Sequence, residues 1–174
     1  MKTLHERIQE VRWLVLDVDG VLTNGQITYS DDEREIKSFH VRDGLGLKLW
    51  QDAGHELAII TGRKSSIVER RAKELGIRHL YQGIGSKISA LQQLRSETGV
   101  EPSAMAAMGD DLPELPLFQS VGVRIAVRDA CSELRASADL VTELPGGKGA
   151  VREAIEWLLK EQGRWSELLK RFRF

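Results

Sequence analysis

The sequence contains a single cysteine, Cys131, among its 174 residues. One cysteine cannot form a disulfide within the chain, so nothing in the sequence requires an oxidising compartment. Long apolar runs are also missing, because Asp17 and Asp19 interrupt the most apolar stretch, residues 13–22, well short of the roughly 20 residues that span a bilayer. The first 12 residues lack the apolar centre of a secretory signal. We therefore expect a cytoplasmic protein with no membrane contact.

An excess of charge of one sign is absent as well. The 25 Lys and Arg residues nearly balance the 26 Asp and Glu residues, so no strongly basic face for nucleic acid is predicted. The 4 histidines are scattered along the chain and show no zinc-ligand spacing. A chain of 174 residues that is 41% hydrophobic suits one domain, residues 1–174, and is short for a core with a large second domain.

Short apolar strands alternate with segments of helical period. The strands WLVLD (13–17), ELAII (56–60) and AMAAM (104–108) read as buried on both faces. This alternation predicts an α/β fold with a doubly wound, mostly parallel, Rossmann-like sheet. Residues 26–39 alternate apolar and polar side chains around a polar centre and predict a small β-hairpin flap. A C-terminal helix and a basic tail are expected over about 150–174.

Reactive side chains stand where these strands end. In a doubly wound sheet the carboxyl ends of the strands form the ligand site, so these side chains are expected to converge. They are Asp17 and Asp19 after the first strand, Thr61 after the second, Lys87 at a helix start, and Asp110 with Asp111 after the AMAAM strand.

The types of these side chains indicate phosphoryl-transfer chemistry. Acidic groups from two strand ends suit Mg²⁺, which prefers oxygen ligands. A carboxylate can attack phosphorus, and a second one can protonate the leaving alcohol and later deprotonate water. Asp17 and Asp19 fit these two roles by position. Thr61 can donate its hydroxyl to a phosphoryl oxygen, and Lys87 can neutralise negative charge.

The same residues carry a family resemblance. The motifs DVDGVLT (17–23), ITGR (60–63), Lys87 and GDD (109–111) resemble, in order, the four motifs of the haloacid dehalogenase (HAD) superfamily of phosphatases. Three further segments resemble one cap-less branch, the 3-deoxy-D-manno-octulosonate 8-phosphate (KDO 8-phosphate) phosphatases: FHVRDGLGLK (39–48), HLYQG (79–83) and GGKGAVREAIEWLLKEQG (146–163). This resemblance implies hydrolysis of KDO 8-phosphate, a step of lipopolysaccharide biosynthesis, and a HAD core sheet without a large cap.

The resemblance also implies individual roles. Asp17 would be the nucleophile, and Asp19 the general acid and base. Mg²⁺ would be held by Asp17, by the backbone carbonyl of Asp19 and by Asp110, with Asp111 and Glu114 as supporting acids around it. The implied substrate contacts are Asp19, His40, Val41, Arg42, Asp43, Gly44, Lys48, Gly62, Arg63, Arg71 and Lys87.

Two positions depart from the pattern of the branch. Glu114 stands where related proteins usually carry Asp, and Lys148 stands in a glycine-rich stretch that often has Arg. Because no large cap is inserted, water exclusion must come from elsewhere. The resemblance implies a homotetramer in which the flaps pack together and each site is completed by an adjacent subunit. The segment 146–149 is equally well interpreted as a mouth element or as a simple loop before a helix.

Two alternatives use related chemistry. A phosphatase for a nine-carbon sugar acid 9-phosphate would need the same catalytic groups and a slightly different pocket. A phospho-receiver signalling domain also combines acidic residues, Thr, Lys and Mg²⁺ on an α/β sheet. In a receiver, however, the adjacent acidic pair follows the first strand, whereas here the pair Asp110 and Asp111 comes late.

Overall fold

A computed structural model describes residues 2–172, and the last two residues of the predicted basic tail, Arg173 and Phe174, lie outside the described part. Its centre is a six-stranded sheet in which every pairing is parallel. This arrangement confirms the predicted doubly wound α/β class. The strands of the sheet are β1 (Trp13–Leu16), β4 (Glu56–Ile60), β5 (His79–Tyr81), β6 (Met105–Gly109), β7 (Val123–Ala126) and β8 (Leu140–Val141), and β2 (Thr28–Tyr29) and β3 (Glu35–Ile36) form the separate hairpin.

The helices connect the strands and lie outside the sheet. Among residues 2–172 no helix is long and apolar enough to cross a membrane. The whole VRDG stretch, residues 41–44, forms the first turn of the helix Val41–Asp52. The helices are α1 (Leu4–Glu10), α2 (Val41–Asp52), α3 (Ser66–Leu75), α4 (Lys87–Thr98), α5 (Leu115–Phe118), α6 (Ser132–Ser137), α7 (Ala150–Glu161) and α8 (Trp165–Leu169).

The hydrophobic core lies between the sheet and its helices. All residues of β1 are buried, as expected for a central strand covered on both faces. Trp50 of α2 is fully buried, and its indole Nε1 donates to the carbonyl of Glu56 at 2.9 Å. This bond satisfies the only polar atom of the indole side chain and attaches α2 to the start of β4.

The strand order is β5-β4-β1-β6-β7-β8, so β1 lies between β4 and β6. The chain runs outward from β1 in both directions, which places the topological switch point at the carboxyl end of β1. Asp17, Thr61 and Asp110 each follow one of these three neighbouring strands. The sheet order therefore brings together residues that are far apart in the sequence.

Candidate active site

A cavity of about 520 Å³ opens at this edge of the sheet. It is lined by all four groups of residues that sequence analysis placed at strand or helix ends. Lys87 reaches it as the first residue of α4, whose N-terminus is capped by Ser86, the Oγ of which accepts the N–H of Ser89 at 3.4 Å. The predicted residues that line the cavity are Asp17, Asp19, Thr61, Gly62, Arg63, Lys87, Asp110, Asp111 and Glu114.

Three carboxylates meet at the base of the cavity. Asp17, Asp110 and Glu114 each offer an oxygen within 4.8 Å of the others. Asp17 is only 8% exposed, and the Lys87 ammonium donates to its Oδ1 at 2.6 Å and also to Glu114 Oε1. One ammonium faces three carboxylates, so the cluster retains an excess of negative charge.

Burial and the closeness of the carboxylates raise the pKa values of Asp17 and Asp110. Burial raises the pKa of Asp17 to about 6, with Lys87 opposing the rise and Glu114 adding to it. Burial, reinforced by the charges of Asp17 and Glu114, raises the pKa of Asp110 to about 8. Burial alone would lower the pKa of Lys87, but the two carboxylates beside it raise the pKa instead. A cation bound among these oxygens would relieve the repulsion.

Glu114 lies inside this cluster rather than behind it. Its side chain is buried, and its Oε2 accepts the backbone N–H groups of Asp110 at 3.3 Å and Asp111 at 2.9 Å. Space for it comes from Gly109, where a β-carbon would lie 2.3 Å from Glu114 Cγ. The longer Glu side chain thus reaches Lys87 while it fixes the backbone that carries the acidic pair.

The carboxylate of Asp19 is not part of the three-carboxylate cluster and lies beside two cations. Its Oδ1 accepts from the ammonium of Lys37, which comes from the flap, and its Oδ2 lies 3.8 Å from Arg63 Nε. Thr61 is buried at the cavity wall, and its backbone N–H donates to the carbonyl of Tyr81 at 2.9 Å. Sequence analysis did not identify Lys37. The signal for it was the charged pair flanking Ile36, because strand alternation sends both charges to one face.

Known proteins are similar to this chain over most of its length. A family profile of haloacid dehalogenase-like hydrolases matches residues 79–155. The 3-deoxy-D-manno-octulosonate 8-phosphate phosphatase KdsC of Escherichia coli K12 is 44% identical over 161 residues, which cover 92% of this chain and 86% of the relative. KdsC of Haemophilus influenzae is 40% identical over 163 residues, which cover 94% of this chain and 91% of the relative. The chain belongs to the KDO 8-phosphate phosphatase family.

Solved structures of this family have the same fold. The KDO 8-phosphate phosphatase of Moraxella catarrhalis, crystallised with a magnesium ion, a phosphate ion and a KDO molecule, superposes with a TM-score of 0.94 at 43% identity over 98% of both chains. The Yersinia pestis enzyme gives 0.91 at 39% identity over 94% of this chain and 88% of its own. The resemblance to the HAD superfamily is thus confirmed, and the receiver-domain alternative is not supported.

The remaining predicted substrate contacts lie outside the cavity that contains Asp17. Arg71 lines a second groove of about 360 Å³, with its guanidinium 5.6 Å from the centre of the Phe39 ring. The start of α2 borders this groove, since His40, Asp43 and Gly44 share a small cleft with Arg71. Val41, Arg42 and Lys48 are exposed. Both Arg63 and Arg71 were implied as substrate contacts, but Arg63 precedes α3, which begins at Ser66, and the two arginines line different cavities.

Asp43 and the glycine-rich segment, both part of the family resemblance, make contacts that hold parts of the fold together. Asp43 is buried and accepts the backbone N–H of Gly149 at 3.3 Å and of Arg152 at 2.9 Å, so it caps α7 from the neighbouring helix α2. The glycine-rich segment, residues 146–149, contacts the loop that follows β1, where the Gly147 N–H donates to the Val21 carbonyl at 2.9 Å. A β-carbon on Gly146 would lie 1.6 Å from the carbonyl oxygen of Gly20, so only glycine fits.

Proposed function

We propose that this chain is a Mg²⁺-dependent phosphatase that hydrolyses KDO 8-phosphate to KDO and inorganic phosphate through an aspartyl-phosphate, in lipopolysaccharide biosynthesis. The observation that carries the proposal is the buried Asp17 carboxylate, held by Lys87 in a cavity with Asp110 and Glu114, in a chain 44% identical to KdsC. We include in the proposal that residues 1–174 act as one phosphatase domain and that the reaction takes place in the cytoplasm.

Asp17 is the nucleophile in this proposal. Its free carboxylate oxygen attacks the phosphorus, a bond forms between this oxygen and phosphorus, and the bond from phosphorus to O8 of the sugar breaks. Lys87 stays beside Asp17 and offsets the charge that two approaching anions accumulate. Thr61 and the backbone at Gly62, both in the cavity wall, offer donors to the phosphoryl oxygens.

Asp19 moves the protons. Its carboxyl group donates a proton to O8 as the sugar leaves, and the resulting carboxylate then takes a proton from the attacking water. That water forms a new bond to phosphorus while the bond to the Asp17 oxygen breaks, which releases phosphate and restores both carboxyl groups. The position of Asp19, two residues after the nucleophile and in the same cavity, supports this division of labour.

The carboxylate cluster fits a magnesium ion. All of its ligand atoms are oxygens, and Lys87 neutralises only part of their negative charge. Asp17 and Asp110 would hold the ion together with the backbone carbonyl of Asp19, Glu114 would lie beside it in the same cluster, and Asp111 would support it from outside. When bound, the ion supplies neutralisation of the phosphate charge and orientation of the phosphoryl group.

We further propose a homotetramer in which an adjacent subunit completes each site. The predicted sugar contacts are divided between the catalytic cavity and the groove at Arg71, and one chain leaves both open. The flap also exposes apolar side chains that a partner could cover, because Ile27, Tyr29 and Ile36 are 52%, 63% and 48% exposed. Contacts from His40 to Gly44, Lys48 and Arg71 to the sugar acid are part of this proposal.

The test is phosphate release from KDO 8-phosphate, N-acetylneuraminate 9-phosphate and a simple alkyl phosphate, with Asp17→Asn as the blank. We expect kcat/KM for the eight-carbon substrate to be higher by about tenfold or more, which corresponds to about 1.4 kcal/mol of transition-state binding. Chelation with EDTA should stop turnover, and Mg²⁺ should restore it. Preference for the nine-carbon substrate would overturn the substrate assignment, and near-normal turnover by Asp17→Asn would overturn the covalent mechanism.

A further inference from the structure

Lys37, at the end of the flap, buries its ammonium next to the proposed acid and base. The side chain is only 2% exposed, and it donates to Asp19 Oδ1 and lies 3.4 Å from Glu35 Oε1. Burying an ammonium destabilises the folded protein unless anionic partners compensate for the lost water. These two carboxylates explain why the lysine folds inward, and the proposed mechanism assigns it no task.

Glu35 anchors the flap to the cavity wall. Its Oε2 accepts from Ser65 Oγ at 2.6 Å, and its Oε1 accepts from Arg63 Nη2 at 3.1 Å. The hydrogen bond from Ser65, together with Arg63 and Lys37, lowers the pKa of Glu35 despite partial burial, so Glu35 is a carboxylate at neutral pH. We refer to Glu35, Lys37, Arg63 and Ser65 together as the flap latch.

The flap latch reaches both oxygens of Asp19. Lys37 contacts Oδ1, and Arg63 Nε lies 3.8 Å from Oδ2. The carboxylate is not part of the cluster formed by Asp17, Asp110 and Glu114. Among the described residues, these two cations are its salt-bridge partners. Its orientation therefore depends on a lysine from the flap, in a hairpin of only two paired residues per strand.

We propose that Lys37 is the positioning residue of Asp19 and that the flap latch holds this carboxylate in the orientation that proton transfer requires. The inference rests on the proposed function, in which Asp19 gives its proton to O8 of the leaving sugar. General acid catalysis requires the donor to be within hydrogen-bond reach of the atom it protonates. Without the charge of Lys37, the carboxylate loses the partner that fixes its Oδ1 in this position. Formation of the phosphorus bond by Asp17 does not involve Lys37.

The test compares two leaving groups in the full-length protein with Mg²⁺. The sugar alkoxide of KDO 8-phosphate needs a proton to leave, whereas the phenolate of 4-nitrophenyl phosphate does not. Lys37→Met keeps the side-chain length and removes the charge. We expect kcat for KDO 8-phosphate to fall by about tenfold or more with KM within about threefold. The burst of 4-nitrophenolate should keep its rate within about threefold.

Matched variants separate positioning from general damage. Lys37→Arg keeps the charge and should recover part of kcat. Arg34→Met removes a positive charge from the same flap at a side chain that is 82% exposed, and it should leave the kinetics with both substrates unchanged. Glu35→Gln weakens the latch without touching Asp19 and should reproduce the leaving-group pattern to a smaller degree. If Lys37→Met does not fold, Lys37→Arg and Glu35→Gln decide the question by the same comparison.

Three results would overturn the proposal: equal losses with both leaving groups, a raised KM with unchanged kcat, or wild-type kinetics in Lys37→Met. Failure of the proposed function gives a different result. If the wild-type protein does not hydrolyse KDO 8-phosphate, the substrate assignment fails. The Lys37 comparison is then made with the alkyl phosphate that the wild type does hydrolyse.

Discussion

Removing one charge from the carboxylate cluster is expected to stabilise the protein when no metal is present. Burial and the charges of Asp17 and Glu114 raise the pKa of Asp110 to about 8, against the attraction of Lys87. The folded state therefore holds this proton more tightly than the unfolded chain does. Its contribution to stability is fully present below about pH 4 and is lost as the pH rises towards about 8. Asp110→Asn carries no such charge and avoids the loss.

The difference between the ordinary value of 3.8 and about 8 sets an upper limit of about 6 kcal/mol. Because Asp110 is half-buried and water screens its charge, we expect about 2 kcal/mol of added stability for Asp110→Asn at pH 8. Magnesium should reverse the order. At 100 times its Kd the ion would add about 2.7 kcal/mol to the wild type and much less to the variant, which lacks a ligand.

Urea unfolding in EDTA, repeated between about pH 5 and pH 8, measures both effects. The wild type should lose stability over this range more steeply than Asp110→Asn. Asp31→Asn removes an exposed carboxylate from the flap and serves as the control, with the same pH slope as the wild type. The reasoning is refuted if Asp110→Asn is no more stable than the wild type at pH 8, or if Mg²⁺ stabilises both proteins equally.

Three further substitutions test other parts of the structure. Burial lowers the pKa of His55 to about 4, so the free energy of unfolding should fall by about 2 to 3 kcal/mol as the pH falls from about 6.5 to 4. In urea unfolding, His55→Phe should reduce this dependence on pH, and an unchanged dependence would contradict the reasoning. Gly109→Ala should displace Glu114, lower the free energy of unfolding by about 1–3 kcal/mol and weaken Mg²⁺ binding measured by calorimetry. An unaltered Mg²⁺ affinity would argue against the close packing of Glu114 on Gly109. Asp43→Ala should cost about 1–2 kcal/mol in thermal unfolding, whereas a change in KM alone would indicate a sugar contact.

The core of the candidate site could be predicted from the sequence because its residues follow strands. The apolar runs identified the strands, and parallel strands bring their carboxyl ends to one edge of the sheet. Asp17, Thr61 and Asp110 therefore had to converge once the sheet was recognised, and the structure places all three in one cavity. The position of Lys87 could also be predicted from the sequence, because Ser86 marks the start of its helix.

The sequence did not indicate which side chains would meet across elements that are distant in the chain. Glu114 enters the carboxylate cluster because Gly109 has no side chain, and this fit depends on how a turn folds back on its own strand. Asp43 caps α7, although its motif predicts a sugar contact, because α2 and α7 pack side by side.

The sequence by itself determined the fold class, the sheet edge that carries the chemistry and the identity of the reactive groups, since these follow from local periodicity and from chemical type. The tertiary structure alone decided the contact between Lys37 and Asp19, the separation of Arg63 from Arg71 and the open groove beside the flap. These features depend on where a hairpin and a helix come to lie on the sheet. Such placement arises from packing and charge pairing between distant segments, which no local pattern in the sequence records.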